Sequence, residues 1–448
     1  MRRLVLGVAL AVVTAGCAGT KGGGAGHVPQ LIAFADYYQP QGDFMATELV
    51  RLRPGTLRPY GPRLRLGDAV VSAPNGGHPG LSPDGRTLAL GGENFGELLL
   101  VDLARLRRTA RIVVFPGSGR DVGIEVQVAS WPRPHRLVVV GTLDGTWWAP
   151  HPSELVIVDP VRRRIVRRQR LGGSVFDVAT TRGGTAAVLV DRYRDKVPML
   201  VVVPPTGGVW HAGLRSLDLG GRDGVHLGGE YFPPVRPPAL AVDGRRHAFV
   251  VVADRPIADI DLTDRVVRYH AVGLPHLHLA MPPAEAPGSG GVHLTYSVGA
   301  RWFGAHTLAV EGSDEYPGLV PGYGVGHRYA DRRLEVVDTS SWRLVRSVPA
   351  TGCERAVGLF ICSATTWGYP PDGKGRLGTS LVAYTPRWKI RYTKSIEWWG
   401  LAAGRLFDGS ADGTKLWELD PRTGRTLRRV HGAPAVWPLD LLRWVPPR

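Results

Sequence analysis

No apolar run in this chain reaches the roughly 20 residues that a helix needs to cross a bilayer, and sustained helical periodicity is missing throughout. A membrane-spanning helical protein and a helix bundle are both set aside. Cysteine is scarce, three in 448 residues, which leaves at most one internal disulfide and no four-cysteine metal centre. The common hydrolase signatures are absent as well: there is no Gly-x-Ser-x-Gly elbow, no Ser-x-x-Lys and no His-Glu-x-x-His. No catalytic residue is therefore assigned. Acidic residues are outnumbered, 39 against 55 basic ones for a net charge of +16, so attraction to anionic surfaces has to be weighed.

What is present begins with an export leader. Arg2 and Arg3 precede an apolar stretch, Leu4 to Val13, closed by Thr14-Ala15-Gly16-Cys17. The small residues before Cys17 resemble the lipobox of bacterial lipoproteins, although Thr14 stands where that family most often has Leu. The resemblance implies a signal peptide over residues 1–17, a lipid anchor on Cys17, and an exported protein held at a bacterial membrane. Residues 18–28, dominated by Gly, read as a flexible tether. Export also shapes the reading of the remaining thiols. Cys353 and Cys362, close together in an extracytoplasmic chain, are expected to form a disulfide. Nucleic acid is not expected as a partner of an exported protein, despite the charge.

The body, residues 29–448, is repetitive. An apolar run ending near an acidic residue, a polar turn and an Arg-rich run recur at Glu97–Val114, Glu154–Leu171, Arg333–Ala350 and Lys415–Gly432. Val and Leu in the runs and Asp, Pro, Thr and Gly in the turns predict antiparallel hairpins. The 59 Gly and 37 Pro suit a chain that turns every eight to twelve residues. An isolated hairpin is marginal in water, so the copies must pack on one another. A second element lies between the hairpins, sharpest at Leu81 to Leu90 with its Ser82-Pro83-Asp84-Gly85-Arg86 turn, and looser at Ala239 to Arg245 and Ala179 to Thr185.

Together the two elements make units of about 45 to 60 residues with four strands each. With their "SPDGR-apolar" and "apolar-D-apolar" signatures they resemble bacterial extracytoplasmic β-propellers of the YncE-like and WD40-like type. The resemblance implies an all-β chain folded as a single propeller of four-stranded blades. Hairpins are expected near Glu48, Glu97, Glu154, Met199, Ile257, Arg333, Ser380 and Lys415. The unit near Ser380 is irregular, with Pro386 and Trp388 in place of Asp and Gly, so seven blades are preferred and eight remain open. Ala435 to Val445 is expected to close the ring as an inner strand beside Leu31 to Tyr37.

Candidate sites are few. His276 and His278, with His270 nearby, form the one histidine cluster; His-x-His spacing puts two imidazoles on one face of a strand, but no acidic partner is close, and no metal site is assigned. Trp147, Trp148 and His151, between strands, are candidate ligand contacts together with His276 and His278, and Trp398 and Trp399 open the last unit. Asp412 to Gly424 resembles a quinoprotein repeat, but in a single copy, and no cofactor is assigned. Arg105, Arg107, Arg108 and Arg111, and the denser run from Arg162 to Arg170, are expected at exposed sheet edges, where charge prevents pairing with other chains. Excess residues between the hairpins at Ile257 and Arg333, namely Met281–Gly291 and Glu311–Gly326, are expected as long loops suited to recognition. The expected function is a non-enzymatic, lipid-anchored scaffold for a protein or envelope polymer. The alternative is an enzyme or small-ligand binder, for a metal, sugar or quinone, that uses the central pocket. Acidic and histidine side chains gathered around the channel would favour the latter, and a broad apolar patch the former.

Overall fold

The computed structural model describes residues 30–444, with breaks of which the longest are 68–79, 145–152, 276–294, 367–377 and 432–441. The described residues are all-β. They form seven four-stranded antiparallel sheets, a three-stranded sheet and a two-stranded ribbon, Val225–Leu227 with Glu230–Phe232. In chain order the eight larger sheets cover residues 30–67, 87–113, 123–170, 174–213, 239–270, 295–348, 351–396 and 398–431. Each is a meander in which neighbours in sequence pair. Leu442–Trp444 adds a fourth strand to the first sheet, pairing antiparallel with Gln30, Leu31 and Ile32. An isolated bridge, Leu81 to Leu88, stands where the second sheet would have its first strand.

All eight expected hairpins are present, and each is the last two strands of its sheet. Five of their turns share one chemistry. The aspartate ending the run accepts hydrogen bonds from amides two or three residues on: Asp102 from Arg105, Asp159 from Val161 and Arg162, Asp261 from Thr263 and Asp264, Asp338 from Ser340, and Asp420 from Arg422. The residue four places after each aspartate takes the left-handed conformation, at Leu106, Arg163, Arg265, Trp342 and Gly424. Only the last is glycine, so four of these turns hold side chains where L-residues are disfavoured. The turn from Ser82 to Arg86 is built in the same spirit. Ser82 Oγ donates to Asp84 Oδ1, Asp84 accepts from the Arg86 amide, and Gly85 supplies a φ of +68°.

The third strands, such as Leu98 to Val101 and Leu155 to Val158, are buried along their whole length instead of on alternate residues. The reason is that sheets pack on both faces. Seven apolar clusters among the described residues each draw on two consecutive sheets, beginning with Ile32, Leu49 and Leu88 and ending with Ile361, Leu381 and Leu406. Each fully buried Val or Leu contributes about 1.5 to 3 kcal/mol, so neighbouring sheets stabilise one another. First strands of adjacent sheets also approach closely, as Ser174–Thr180 does Ala239–Val242 and the latter does Thr295–Gly304. At Gly91 a Cβ would lie 1.4 Å from the Val126 carbonyl oxygen, so this crossing between the second and third sheets admits only glycine.

The stretch Glu311–Gly326 is not the loop expected from sequence. It extends the sixth sheet as a long hairpin, Thr307–Val320 paired with Gly324–Asp338, whose ladder gives the backbone amides partners that a loop would have to find elsewhere. The Arg-rich strands Arg107–Val113 and Arg164–Arg170 are, as expected, the exposed last strands of their sheets.

Candidate functional site on the first strands

Among the charged side chains on first strands, the strands nearest the axis in this kind of fold, three form a group. Asp177 belongs to Ser174–Thr180 of the fourth sheet, Arg301 to Thr295–Gly304 of the sixth, and Glu354 to Thr351–Ala356 of the seventh. Both carboxylates follow a break in strand register, between Val175 and Asp177 and between Thr351 and Glu354. Such bulges turn a side chain out of the regular alternation. The first bulge also leaves Phe176 with 36% of its surface exposed.

Arg301 is the centre of the group. Its Nη1 lies 3.5 Å from Glu354 Oε1 and donates to the Cys353 carbonyl at 3.3 Å. Asp177 Oδ2 accepts from the Leu240 amide at 3.1 Å, and its Oδ1 from the Val178 amide at 2.8 Å. Burial nevertheless pushes the Asp177 carboxyl up to about 6, against the opposing pull of those amides and of Arg301. Burial raises Glu354 too, with Arg301 working the other way. Two acids whose carboxyls are raised by burial, set beside one guanidinium, can bind groups of either sign.

The neighbouring bonds fix this geometry. Glu311 Oε2 accepts from the Gly352 amide at 2.5 Å, and Arg355 Nη1 donates to the Phe303 carbonyl at 2.6 Å. Cys353 and Cys362 form a disulfide between the first two strands of the seventh sheet, as expected, with Cα atoms 4.0 Å apart. It closes over the bulge that precedes Glu354.

Other sequence candidates fare differently. Cys17, Trp147, Trp148, His151, His276 and His278 lie outside the described residues, as do the tether and Met281–Gly291. His270 sits in the last strand of the fifth sheet, its ring stacked on Trp342 at 3.6 Å and 4°. Its Nε2 lies 4.0 Å from the buried Asp259, which His247 contacts at 2.7 Å. Trp399 packs between the last two sheets, its Nε1 donating to Ser363 Oγ at 2.6 Å, and Trp417 packs in the same cluster. Among the described residues, no group of three His, Cys, Asp or Glu could hold a metal ion. Asp177, Arg301 and Glu354 were missed from sequence. The one available signal was a charged residue inside a run otherwise fit for a strand.

No protein-family model matches the chain. No curated protein matches it in sequence. Solved structures do resemble it. One is the dihydro-heme d1 dehydrogenase NirN in complex with DHE, at a TM-score of 0.50 and 15% identity, over 90% of this chain and 73% of that one. Another is the β-propeller domain of the Trilobed protease from Pyrococcus furiosus, at a TM-score of 0.39 and 11% identity, over 82% of this chain and 93% of that one. With the four-stranded meanders, the first of these likenesses defines the fold as a β-propeller. At 15% identity it carries fold and no chemistry.

Proposed function

We propose that this protein is an exported, lipid-anchored β-propeller that binds a small polar ligand in its central channel through Asp177, Arg301 and Glu354. The eight consecutive sheets support an eight-bladed ring, one more than the preferred expectation from sequence. The pairing of Leu442–Trp444 with the first strand supports closure of that ring by both chain ends. The leader and Cys17 support the anchor and an extracytoplasmic location. Whether the YncE-like and WD40-like propellers are the nearer kin rests on the turn signatures alone.

The observation that carries the ligand reading is the Arg301–Glu354 pair with Asp177, a charged group of both signs on strands that otherwise line a channel. A ligand fitting it offers an anionic group to Arg301 and hydroxyl or amine donors to the carboxylates. The scaffold reading has less support, since the exposed large apolar residues, Val113, Val161, Val166, Val266, Val345, Ile390 and Leu427 among them, are scattered over outer strands and turns of separate sheets.

A thermal-shift panel of divalent cations, pyrroloquinoline quinone, simple sugars and cell-wall fragments tests this reading. A ligand at about 100 times its dissociation constant stabilises by roughly 2.7 kcal/mol. A saturable rise with one compound supports channel binding. No rise with any of them, together with capture of a partner protein by cross-linking, favours the scaffold.

A further inference from the structure

Several arginines in this protein meet a carboxylate. Arg246 meets Asp261 and Asp264, Arg405 and Arg428 share Glu418, Arg168 and Arg170 share Glu154, and Arg111 meets Glu97. The seam between the third and fourth sheets is arranged differently. There Arg133 and Arg136 sit at the turn between the first two strands of the third sheet, and Arg167 stands on its last strand. None of the three forms a salt bridge among the described residues.

Two of them are held by hydrogen bonds, and one of those bonds crosses the seam. Arg136 Nη2 donates to the Gly207 carbonyl of the fourth sheet at 3.2 Å, while its Nε is buried with no acceptor. Arg167 Nη2 donates to Gln169 Oε1 at 3.4 Å, and Gln169 Nε2 lies 2.8 Å from His211 Nε2 on the last strand of the fourth sheet. Arg133, Arg167 and His211 are exposed, and no atom lies within 4 Å of where a Cβ would stand at Gly207 or Gly208, so the seam is accessible from solvent. The guanidinium of Arg136 is held below its ordinary range, first by burial and then by the charges of Arg167 and Arg133. Like charges so placed repel one another until an anion joins them.

We infer that Arg133, Arg136 and Arg167, with His211 at the edge, form a binding site for a phosphate group at the outer seam of the third and fourth sheets. Guanidinium forks match the oxygens of a phosphoryl group, and the bound anion would supply the acceptor that Arg136 Nε lacks. This site is separate from the channel and stands whatever the channel binds. A lipid headgroup and a soluble phosphate present the same chemistry to it.

Two assays on the full chain carrying Cys17→Ser, which removes the proposed anchor, test the site. One is calorimetric titration with inorganic pyrophosphate, and the other is co-sedimentation with phosphatidylglycerol vesicles, with phosphatidylcholine as control. The expected result is saturable binding in at least one assay that weakens about tenfold in Arg136→Gln and in Arg167→Gln. Binding should be unchanged in Arg429→Gln, an exposed residue on the last strand of the eighth sheet. Pyrophosphate binding without vesicle binding would identify a soluble phosphate, and vesicle binding lost in Arg167→Gln a headgroup. Absence of saturable binding in both assays overturns the site. An equal loss in Arg429→Gln also overturns it, because net charge would then carry the attraction. Unchanged melting temperatures for the three variants keep a folding defect out of the comparison.

Discussion

The Leu240 amide donates to Asp177 Oδ2 across 3.1 Å, so a carboxylate on the first strand of the fourth sheet is tied to the backbone of the fifth. That bond places a titratable group where it is buried and still within electrostatic reach of Arg301. Its protonation is therefore linked to stability.

The folded pKa of Asp177, about 6, lies above the ordinary aspartate value, so the folded state holds the extra proton. Its contribution is fully present below about pH 4 and is lost as pH rises through about 6. The cost of ionisation is on the order of 2 kcal/mol once screening by solvent is allowed for. Asp177→Asn, whose amide nitrogen cannot accept one of the two backbone bonds, should gain several degrees relative to the native protein between pH 4 and pH 7.5. A difference independent of pH would contradict this.

His270 works in the opposite direction. Burial against Trp342 lowers its pKa, with Arg268 adding to the effect and Asp259 opposing it. The neutral ring stabilises the fold above about pH 6.5, and that contribution is lost as pH falls through the lowered value. His270→Phe, which keeps a flat ring on Trp342, should flatten the decline in melting temperature between pH 6.5 and 5. The native slope persisting in the variant would assign the decline to other groups.

Reduction of the Cys353–Cys362 disulfide, or Cys353→Ala with Cys362→Ala, should cost about 2 to 3 kcal/mol on chain entropy alone for a sequence separation of 9. It should also weaken any channel ligand, because Arg301 holds the Cys353 carbonyl. Chemical denaturation with and without reductant measures the first effect. A ligand titration under the same two conditions measures the second.

The hairpin turns give a paired expectation. Asp159→Ala removes the acceptor for the Val161 and Arg162 amides and should destabilise by about 2 kcal/mol. Arg163→Gly relieves a φ of 54° at an exposed residue and should stabilise by about 1 kcal/mol. Melting curves of the two variants should move in opposite directions.

These turns also explain what was readable in the sequence. The aspartate at the end of each apolar run is the residue that closes the turn, so Asp102, Asp159, Asp261, Asp338 and Asp420 marked their hairpins from composition alone. The unit near Ser380 looked irregular because Thr385 does the aspartate's work, its Oγ1 accepting from the Lys389 amide, while Trp388 takes the left-handed position. Continuous burial of the third strands was visible as unbroken runs such as Leu98 to Val101, though its cause, packing on both faces, is a property of neighbouring sheets. Asp177, Arg301 and Glu354 were not legible. They lie far apart in the chain, and the two carboxylates follow bulges, which leave no mark on residue type.

Binding in the central channel is tested most directly by running the thermal-shift panel on the native protein and on Arg301→Leu side by side. A compound that raises the native melting temperature saturably should lose its effect in the variant, because the proposed site needs the Arg301 guanidinium that pairs with Glu354. A shift that survives undiminished in Arg301→Leu, or a native protein that no compound shifts, would contradict a ligand site at these strands.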